Sequence, residues 1–519
     1  MKKVVFCIIL YIIDCEKNHL IIKKLFSFNK ERKMPTFQSR FKETQRRVPI
    51  DEHNCSVQFD ESKCKNCTLC RRTCANTQTV MDYYNLESTG DMPICVHCGQ
   101  CAAVCPFGAI TEVSDLDKVK AAIKDPDKIV MFQTAPAVRV GLGEAFGMEP
   151  GTFVQGKMVG ALRALGADYV FDTDFGADMT IMEEAMELLH RLQSEEIPIP
   201  QFTSCCPAWV EFLETFYPDL IPHLSSTKSP ISIMSSAMKT WFVKNNNLDP
   251  RNVVIVDVAP CTAKKAEIRR PELNASADFW NIPELRDTDI SITTRELAQW
   301  IQEEGIDFSG IADSDFDKVF GESTGGGRIF GNSGGVMEAA IRTAYYFFTG
   351  RKAPKDFIPF EPVRGLDGVK KASVVFGHFV IHVAAISGLG NARKFLDELI
   401  STEDFENYSF IEVMACPGGC IGGGGQPKVK LPQVKKVQQA RMDSLYQSDV
   451  DATYKASWEN PEIQDLYKQF LGEPLSERAE MMLHTYFTDR SDDLGEMKNL
   501  TPETNPSSTR FKPHTNNAV

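Results

Sequence analysis

NVVIVDVAPCTAKKAE, residues 252–267, sets a run of valine and isoleucine directly before a proline and a cysteine. The run 252–259 predicts a buried β-strand, because it is short, continuous and rich in β-branched residues. Four more stretches predict strands: KIVMFQ (128–133), DYVFDTD (168–174), ASVVFGHFVIHVAAIS (372–387) and FIEVMA (410–415). MTIMEEAMELLHRL (179–192) and residues 335–348 predict helices between them. Strands that alternate with helices predict parallel α/β sheets with functional loops at the strand ends.

The composition indicates an ordinary globular protein. The chain has 519 residues, enough for two to four domains, with 43% hydrophobic and 24% charged residues. The net charge is −13, although the first 50 residues carry 12 Lys and Arg against 4 Asp and Glu. An acidic body argues against nucleic acid as the main partner. The basic extension 1–50 is predicted to be partly disordered; docking to an acidic protein or to anionic lipid is the alternative.

The N-terminus holds one long apolar run, VVFCIILYII (4–13). A bilayer takes about 20 residues to span, so no transmembrane segment is predicted. No small-residue cleavage site follows the run, which argues against a secretory signal peptide. Met34 opens a plainer sequence, and we hypothesise that residues 1–33 are dispensable or lie upstream of the true start. Mass spectrometry of the native N-terminus distinguishes a start at Met1 from one at Met34.

Two cysteine motifs indicate iron–sulfur clusters. CKNCTLCRRTC (64–74) and CVHCGQCAAVCP (95–106) both read C-x2-C-x2-C-x3-C, the pattern of bacterial two-cluster ferredoxins, although only the second ends in Cys-Pro. The fourth cysteine of each motif is expected to ligate the other cluster. One [4Fe–4S] cluster is therefore assigned to Cys64, Cys67, Cys70 and Cys105, and the other to Cys95, Cys98, Cys101 and Cys74. Zinc is the alternative, but zinc sites rarely use four cysteines in so tight a run. Residues 51–120 are predicted to form an α+β ferredoxin-like domain.

The remaining cysteines of the body lie in three loops: TSCCPAW (203–209), APCTAKKAE (259–267) and EVMACPGGCIGGGGQP (412–427). Either Cys205 or Cys206, together with Cys261, Cys416 and Cys420, can supply four thiolates to a further cluster. Buried structural cysteine is the alternative for each of them. Cys205 and Cys206 are adjacent, so their side chains are expected to point in different directions and to serve separate tasks.

At these loops, and over roughly residues 55–490, the sequence resembles the iron–iron hydrogenases. The resemblance implies a two-lobed α/β catalytic domain over 125–430 with a six-iron H-cluster, in which a [4Fe–4S] cluster is bridged by cysteine to a two-iron unit with CO, cyanide and azadithiolate. It implies Cys206, Cys261, Cys416 and Cys420 as ligands, with Cys420 as the bridge. It also implies that the following residues contact the cofactor: Lys264, Met414, Ala135, Pro136, Pro230 and Phe330.

The resemblance further implies a proton path. Cys205 becomes the proton carrier, and a thiol suits that task because its reference pKa is about 8.5. The other members implied are Glu184, Glu187, Ser225 and Arg191, in an order that the sequence does not fix. Two glutamates on one helix face are more often a solvated surface; only the resemblance favours the functional interpretation here.

The implied reaction is the reversible formation of H2 from two protons and two electrons. Ferredoxin is the implied electron donor and acceptor, hydrogenase maturation proteins are implied partners, and a monomer is expected. We expect a cytoplasmic protein, with a hydrogen-producing, mitochondrion-related organelle as the alternative. Three positions depart from the family pattern: Ala259 replaces methionine, Ile231 replaces glutamine and Ala137 replaces serine. Each departure can alter the surroundings of the cofactor without removing a ligand.

There are two alternative interpretations of the function. A hydrogenase-like scaffold for cytosolic iron–sulfur protein assembly shares the fold without H2 chemistry, but that group typically lacks the first cysteine of the pair and has a reduced N-terminal cluster set. A slow sensory hydrogenase is disfavoured, because no sensor domain is visible.

Residues 431–490 resemble a fused small subunit and are expected to form a helical wrap around the catalytic domain. Residues 491–519 are predicted to be a disordered tail.

Overall fold

The computed structural model describes residues 46–194, 196–354, 360, 363–376 and 379–499. The apolar run 4–13, the alternative start at Met34 and residues 500–519 lie outside this part. No helix within the described ranges is both long and apolar enough to cross a membrane.

The N-terminal part is a small domain with one antiparallel strand pair. Its strands are β1 (Val57–Phe59) and β2 (Ile110–Glu112), and Gln58 pairs with Thr111. Two short helices, α1 (Leu69–Arg72) and α2 (Gln100–Val104), lie within the two cysteine motifs, and α3 (Leu116–Lys124) follows. A small apolar core that includes Val57, Met81 and Ala102 holds these elements together. The predicted ferredoxin-like arrangement is present.

Eight strands form the two sheets of the catalytic region. In chain order they are β3 (Ile129–Thr134), β4 (Tyr169–Asp172), β5 (Gln201–Phe202), β6 (Val253–Ala259), β7 (Ile290–Thr293), β8 (Val369–Phe376), β9 (Phe379–Ser387) and β10 (Phe410–Met414). The first sheet has the order β4-β3-β6-β7 with every pair parallel. The second has the order β5-β10-β9-β8, in which only β8 runs antiparallel to its neighbour. The predicted α/β class with mainly parallel sheets is confirmed.

One strand prediction is wrong. Residues 372–387 do not form a single buried strand, because the chain reverses after Phe376 and β8 pairs with β9 along its length. β8 lies at the edge of its sheet, so its side chains alternate between Val374, which is buried, and Val375, which is 56% exposed. A strand with one solvated face does not need a second layer of protein over it. The sequence analysis also missed the short strands β5 and β7.

Helices cover both sheets. Those of the catalytic region are α4 (Gln155–Ala164), α5 (Thr173–Gln193), α6 (Pro207–Phe216), α7 (Pro230–Ala237), α8 (Val243–Asn245), α9 (Lys264–Glu267), α10 (Ala275–Trp280), α11 (Thr294–Glu303), α12 (Gly325–Arg328), α13 (Gly335–Thr349) and α14 (Leu389–Thr402). The central one is α5, which packs against α7 and α13 and is buried over most of its length. The predicted helices 179–192 and 335–348 are confirmed, and α5 begins six residues earlier than predicted.

The C-terminal segment is helical and lies along the catalytic region. It contains α15 (Val434–Asp451), α16 (Pro461–Leu466) and α17 (Glu477–Leu483). Polar contacts anchor it at several places, for example Arg441 to Glu144 at 2.7 Å and Asp449 to Arg342 at 2.8 Å. The prediction that a disordered tail begins at residue 491 is wrong for 491–499. These residues form helical turns, because Leu494 and Met497 are apolar and bury against the core beside Trp209.

Candidate active site

A cavity lies where the carboxyl ends of the strands from both sheets meet. The loops after β3, β5, β6 and β10 all contribute to its wall, which is the edge where parallel α/β proteins place their ligands. Apart from Lys264, Thr173 and several thiols, the wall is formed by Ala, Pro, Gly, Ile, Phe and Met residues. The cavity therefore offers sulfur ligands inside an apolar enclosure.

Six cysteines line this cavity, and four of them, from three different loops, are the predicted cluster ligands: Cys206, Cys261, Cys416 and Cys420. Cys206 lies just before α6, Cys261 follows β6, and Cys416 follows β10. Gly419 has φ of +95°, and a Cβ there would lie 2.6 Å from the backbone nitrogen of Ser333. Only glycine fits this turn, which returns the chain so that Cys420 reaches the same cavity as Cys416.

These thiols fit the cluster that the sequence predicted. Burial raises the pKa of all four, so each is a neutral thiol until iron displaces its proton. Four cysteines around one enclosed space are the donor set of a [4Fe–4S] cluster. Among the described residues, no three His, Cys, Asp or Glu side chains stand close enough to hold a single metal ion.

The side chains of Cys205 and Cys206 lie in different surroundings, as expected for two adjacent residues. Cys205 packs in the apolar cluster around Ala177, Phe330 and Met414. Cys206 packs instead against the cluster of Trp209, and its sulfur accepts a hydrogen bond of 3.4 Å from the backbone of Ala415. Both thiols nevertheless reach the cavity wall.

The predicted cofactor contacts also lie on the cavity wall: Ala135, Pro136, Pro230, Lys264, Phe330 and Met414. So do the three departures from the family pattern, Ala137, Ile231 and Ala259. The Lys264 ammonium is 2.5 Å from Glu267 and donates to the Ser229 hydroxyl at 2.8 Å and to the Cys205 carbonyl at 3.2 Å. Burial alone would lower the pKa of Lys264, but the charge of Glu267 raises it to about 12. The cavity therefore contains one fixed cation.

A chain of buried polar side chains leads away from Cys205. Burial, followed by the charge of Glu187, raises the pKa of Glu184 well above its ordinary value. Neither Glu184 oxygen has a hydrogen-bond partner among the described residues. Burial and the neighbouring Glu184 likewise raise the pKa of the Cys205 thiol. Burial therefore favours the protonated form of both groups.

The other three members of the predicted path are connected to one another. The Ser225 hydroxyl donates to Glu187 at 2.6 Å, and Arg191 donates to the other Glu187 oxygen at 2.8 Å. Arg191 also donates to the carbonyls of Pro198, Pro222 and Leu224, which fixes the guanidinium. The structure thus brings all five predicted residues to one side of the cavity, although the alternative was a solvated helix face.

The dicluster domain brings its cysteines together in the predicted crossed sets. Cys64, Cys67, Cys70 and Cys105 line a second cavity of about 350 Å³. In the second set, the charge of Cys95 contributes to raising the pKa of Cys74, and the charges of Cys98, Cys95 and Cys74 contribute to raising the pKa of Cys101. These four thiols therefore also lie close together. Cys67 is exposed to solvent, whereas Cys98 lines the catalytic cavity itself. The two sets therefore extend from the protein surface to the catalytic cavity.

The sequence alone does not predict the residues that join the dicluster domain to the catalytic region. The Thr262 hydroxyl donates to the His97 carbonyl at 2.6 Å. The side-chain amide of Gln100 donates to the Cys416 sulfur at 3.2 Å and to the Gly422 carbonyl at 2.9 Å. Gln100 lies within a recognised cysteine motif, but only the folded chain shows that it reaches the other domain.

Residues 128–424 match the family described as "Iron only hydrogenase large subunit, C-terminal domain", and this match covers more than half of the chain. The chain belongs to the iron-only hydrogenase family. Residues 435–490 of this hydrogenase match the family "Iron hydrogenase small subunit", and residues 56–120 match a "4Fe-4S dicluster domain". The chain is thus an oxidoreductase of the hydrogenase type, with two [4Fe–4S] clusters and an H-cluster as its cofactors.

Characterised relatives and solved structures agree with this assignment. The NADP-reducing hydrogenase subunit HndD of Solidesulfovibrio fructosivorans is 45% identical over 84% of this chain and 75% of its own. Iron hydrogenase 1 of Clostridium pasteurianum is 42% identical over 84% and 76%, respectively. The structure of the [FeFe]-hydrogenase HydA1 from Chlamydomonas reinhardtii is similar with a TM-score of 0.63 and 38% identity, covering 73% of this chain and 99% of that one.

A protein of another name also matches this hydrogenase. Cytosolic iron-sulfur assembly component 3 of Bos taurus is 31% identical over 76% of this chain and 82% of its own.

Proposed function

We propose that this hydrogenase forms and oxidises H2 reversibly, exchanging electrons with ferredoxin. The observation that carries the proposal is the place of Cys205. Its thiol lies on the same cavity wall as the four cluster thiols and beside the buried carboxyl of Glu184. A proton carrier at that position has a use only where protons react inside the cavity.

Each residue of the cavity has a distinct task in the proposal. The H-cluster, when bound, supplies the redox chemistry that joins protons and electrons into H2. Cys206, Cys261, Cys416 and Cys420 would hold it. Lys264 would place a positive charge beside an anionic cofactor, and Met414 would help to exclude water from it. The apolar wall strengthens these electrostatic contacts, because little water competes with them.

Protons take a route of their own in this account. The buried pair Ser225 and Glu187 passes a proton inward through their 2.6 Å hydrogen bond. Glu184 receives it next and Cys205 delivers it to the cavity. Arg191 holds the Glu187 carboxylate in place with two hydrogen bonds of 2.8 and 3.0 Å. Burial favours the protonated forms of Glu184 and Cys205, so each holds a proton that it can pass on and replace.

Electrons enter through the dicluster domain in this proposal. The exposed Cys67 lies in the outer set of thiols, and Cys98 of the inner set reaches the catalytic cavity. Ferredoxin is the proposed partner at the outer set. Hydrogenase maturation proteins are proposed to load the cofactor, and the cytoplasm is the proposed location, with a hydrogen-producing, mitochondrion-related organelle as the alternative.

A scaffold role in iron–sulfur protein assembly is the second candidate, and the 31% identical assembly component favours it. Two features of the chain favour the enzyme. Cys205 is present on the cavity wall, and both thiol quartets of the dicluster domain are complete.

Assay of the anaerobically matured chain for H2 tests the proposal. Reduced ferredoxin should drive H2 evolution, and H2 should reduce oxidised ferredoxin in the reverse direction. Cys420→Ala, matured in parallel, should do neither, because it lacks the bridging thiol. A matured protein with full iron content and no H2 turnover in either direction would favour the scaffold.

A further inference from the structure

His484, at the end of the C-terminal segment, connects the two elements that carry the proton path. Its Nδ1 is 2.8 Å from the Ser226 hydroxyl, and its Nε2 is 3.1 Å from a carboxylate oxygen of Glu183. Ser226 is the neighbour of Ser225, and Glu183 is the neighbour of Glu184 on α5. Because the Glu183 carboxylate accepts, Nε2 donates to it, and Nδ1 accepts from the serine.

The strand-like segment 224–229, called here the relay strand, is held on both sides. On one side the Ser225 backbone donates to the Phe202 carbonyl at 2.8 Å, next to the loop of Cys205. On the other side Thr227 pairs antiparallel with His484. Two backbone hydrogen bonds flank that pair: Lys228 to the Leu483 carbonyl at 2.9 Å and Thr485 to the Ser226 carbonyl at 2.7 Å. The C-terminal segment therefore serves as the outer neighbour of the relay strand.

Glu183, the second hydrogen-bond partner of His484, is also held in place. Glu183 is fully buried and accepts hydrogen bonds from the Tyr467 hydroxyl and, at 2.8 Å, from the backbone of Leu475. All of these partners belong to the C-terminal segment. The imidazole thus bridges α5, which carries Glu184 and Glu187, and the relay strand, which carries Ser225. α5 also bonds this strand directly, from Thr180 to the Lys228 carbonyl at 3.2 Å and from Arg191 to the Leu224 carbonyl at 2.8 Å.

We propose that His484 is a positioning residue of the proton path, through which the C-terminal segment holds Ser225 at hydrogen-bond distance from Glu187. This inference rests on the proposed function. Ser226, which His484 contacts, lies between the two points where α5 bonds the relay strand directly, Leu224 and Lys228. A shift of about 1 Å in a reacting pair can cost on the order of 100-fold in rate, so the His484 bridge at this place matters. His484 touches no cofactor ligand in the described contacts, and its effect is confined to proton delivery.

The geometry gives a graded set of variants. His484→Asn keeps an acceptor near the Nδ1 position and loses the Glu183 contact. His484→Gln keeps a donor near the Nε2 position and loses the Ser226 contact. His484→Ala loses both. His382→Ala is the matched control, because it removes an exposed imidazole of β9 that is 2.8 Å from the Ser373 hydroxyl and contacts neither Glu183 nor the relay strand in the described hydrogen bonds. The backbone pairing of 484 with 227 remains in every variant.

The matured holoenzyme variants should be compared by infrared spectroscopy, by steady-state kinetics with reduced ferredoxin, and by the solvent deuterium isotope effect on kcat. We expect His484→Ala to lower kcat by about tenfold and to raise the isotope effect, with unchanged CO and cyanide bands and unchanged KM for ferredoxin. Asn and Gln should lie between Ala and wild type, and His382→Ala should match wild type. Hydrogen exchange of the Ser225 and Thr227 amides should accelerate in His484→Ala, which is a readout independent of turnover.

Two results would overturn the inference. Wild-type kcat and isotope effect in His484→Ala would show that the bridge is dispensable. Loss of the CO and cyanide bands together with the rate would show that His484 serves folding or cofactor loading instead. A wild-type chain without bands or H2 would refute the proposed function itself, so the two failures are distinguishable.

Discussion

Gln100 of the dicluster domain donates a hydrogen bond from its side-chain amide to the sulfur of Cys416, over 3.2 Å. The same nitrogen lies 2.9 Å from the Gly422 carbonyl, so the amide is held from two sides. Close packing supports the contact: a Cβ on Gly424 would lie 2.2 Å from the Cys98 carbonyl. The inner thiol set of the dicluster domain and the catalytic thiols therefore form one continuous structure.

Replacing Gln100 should change the electronics of the catalytic cluster. Hydrogen bonds to the sulfurs of a cluster help to set its reduction potential. Gln100→Met removes the donor at nearly constant length, so the potential of the cluster held by Cys416 should become more negative. Potentiometric titration followed by electron paramagnetic resonance measures the shift. Gln447→Met is the control, because Gln447 is exposed and bonds only Asp451; equal potentials in both variants would contradict the expectation.

Cys205→Ala should separate cofactor binding from catalysis. The infrared bands of CO and cyanide should persist, because Cys205 is not among the four predicted cluster ligands. H2 production should fall by a factor on the order of 100 or more, the usual contribution of a positioned acid–base group. Cys55→Ala, which removes a thiol of the dicluster domain outside both cysteine motifs, is the control and should keep its activity. Full activity in Cys205→Ala would remove Cys205 from the proton path.

Glu184→Gln, like Cys205→Ala, should lower H2 production by removing a member of the proton path. Glutamine preserves the size of the side chain but holds no exchangeable carboxyl proton, so kcat should fall on the order of 100-fold. The KM for ferredoxin should not change, because electrons enter at the dicluster domain. Glu304→Gln on the exposed end of α11 gives the control. A Glu184→Gln enzyme with wild-type kcat would mean that protons reach Cys205 by another route.

Asp178 on α5 should make the stability of the protein depend on pH. Burial raises its pKa from 3.8 to about 6, against the opposing hydrogen bonds from Thr324, Ser457 and Asn460. Between these two values the folded chain binds the proton and the unfolded chain releases it. The free energy of unfolding therefore falls as pH rises through this window, by about 1.4 kcal/mol per pH unit and about 3 kcal/mol in all.

Asp178→Asn tests this dependence. An amide fits the same donors, since the hydroxyls of Thr324 and Ser457 can rotate to accept from it. The variant should lose the pH-dependent part of the unfolding free energy between pH 4 and 6 and match wild type in its slope elsewhere. Urea unfolding at several pH values measures it. Parallel wild-type and variant curves across the window would contradict the assignment.

The sequence predicts the parts of the fold that depend on local pattern. The strand β6 and the helix α5 follow from continuous apolar runs and helical periodicity, and both are present. The two residues of β5 are too few to produce a pattern, and they form a strand only because β10 lies beside them. The prediction of a single strand over 372–387 follows the apolar run and overlooks Gly377-His378, a dipeptide that favours a two-residue hairpin turn.

The same distinction between local pattern and long-range contact applies to the residues of the candidate active site. Spacing alone identifies the cysteines of the dicluster domain, and family resemblance supplies the roles of Cys205 and Glu184. Neither predicts Gln100 or His484, because each acts on residues more than 200 positions away in the chain. Contacts of that kind arise only when domains pack together, and no local pattern records them.

The infrared spectrum of the anaerobically matured chain tests the central claim most directly, namely that Cys206, Cys261, Cys416 and Cys420 hold an H-cluster in the cavity between the sheets. The account predicts bands in the region of metal-bound CO and cyanide, and their loss in Cys420→Ala. A fully matured, iron-replete chain without these bands would contradict it and leave an iron–sulfur protein that carries electrons alone.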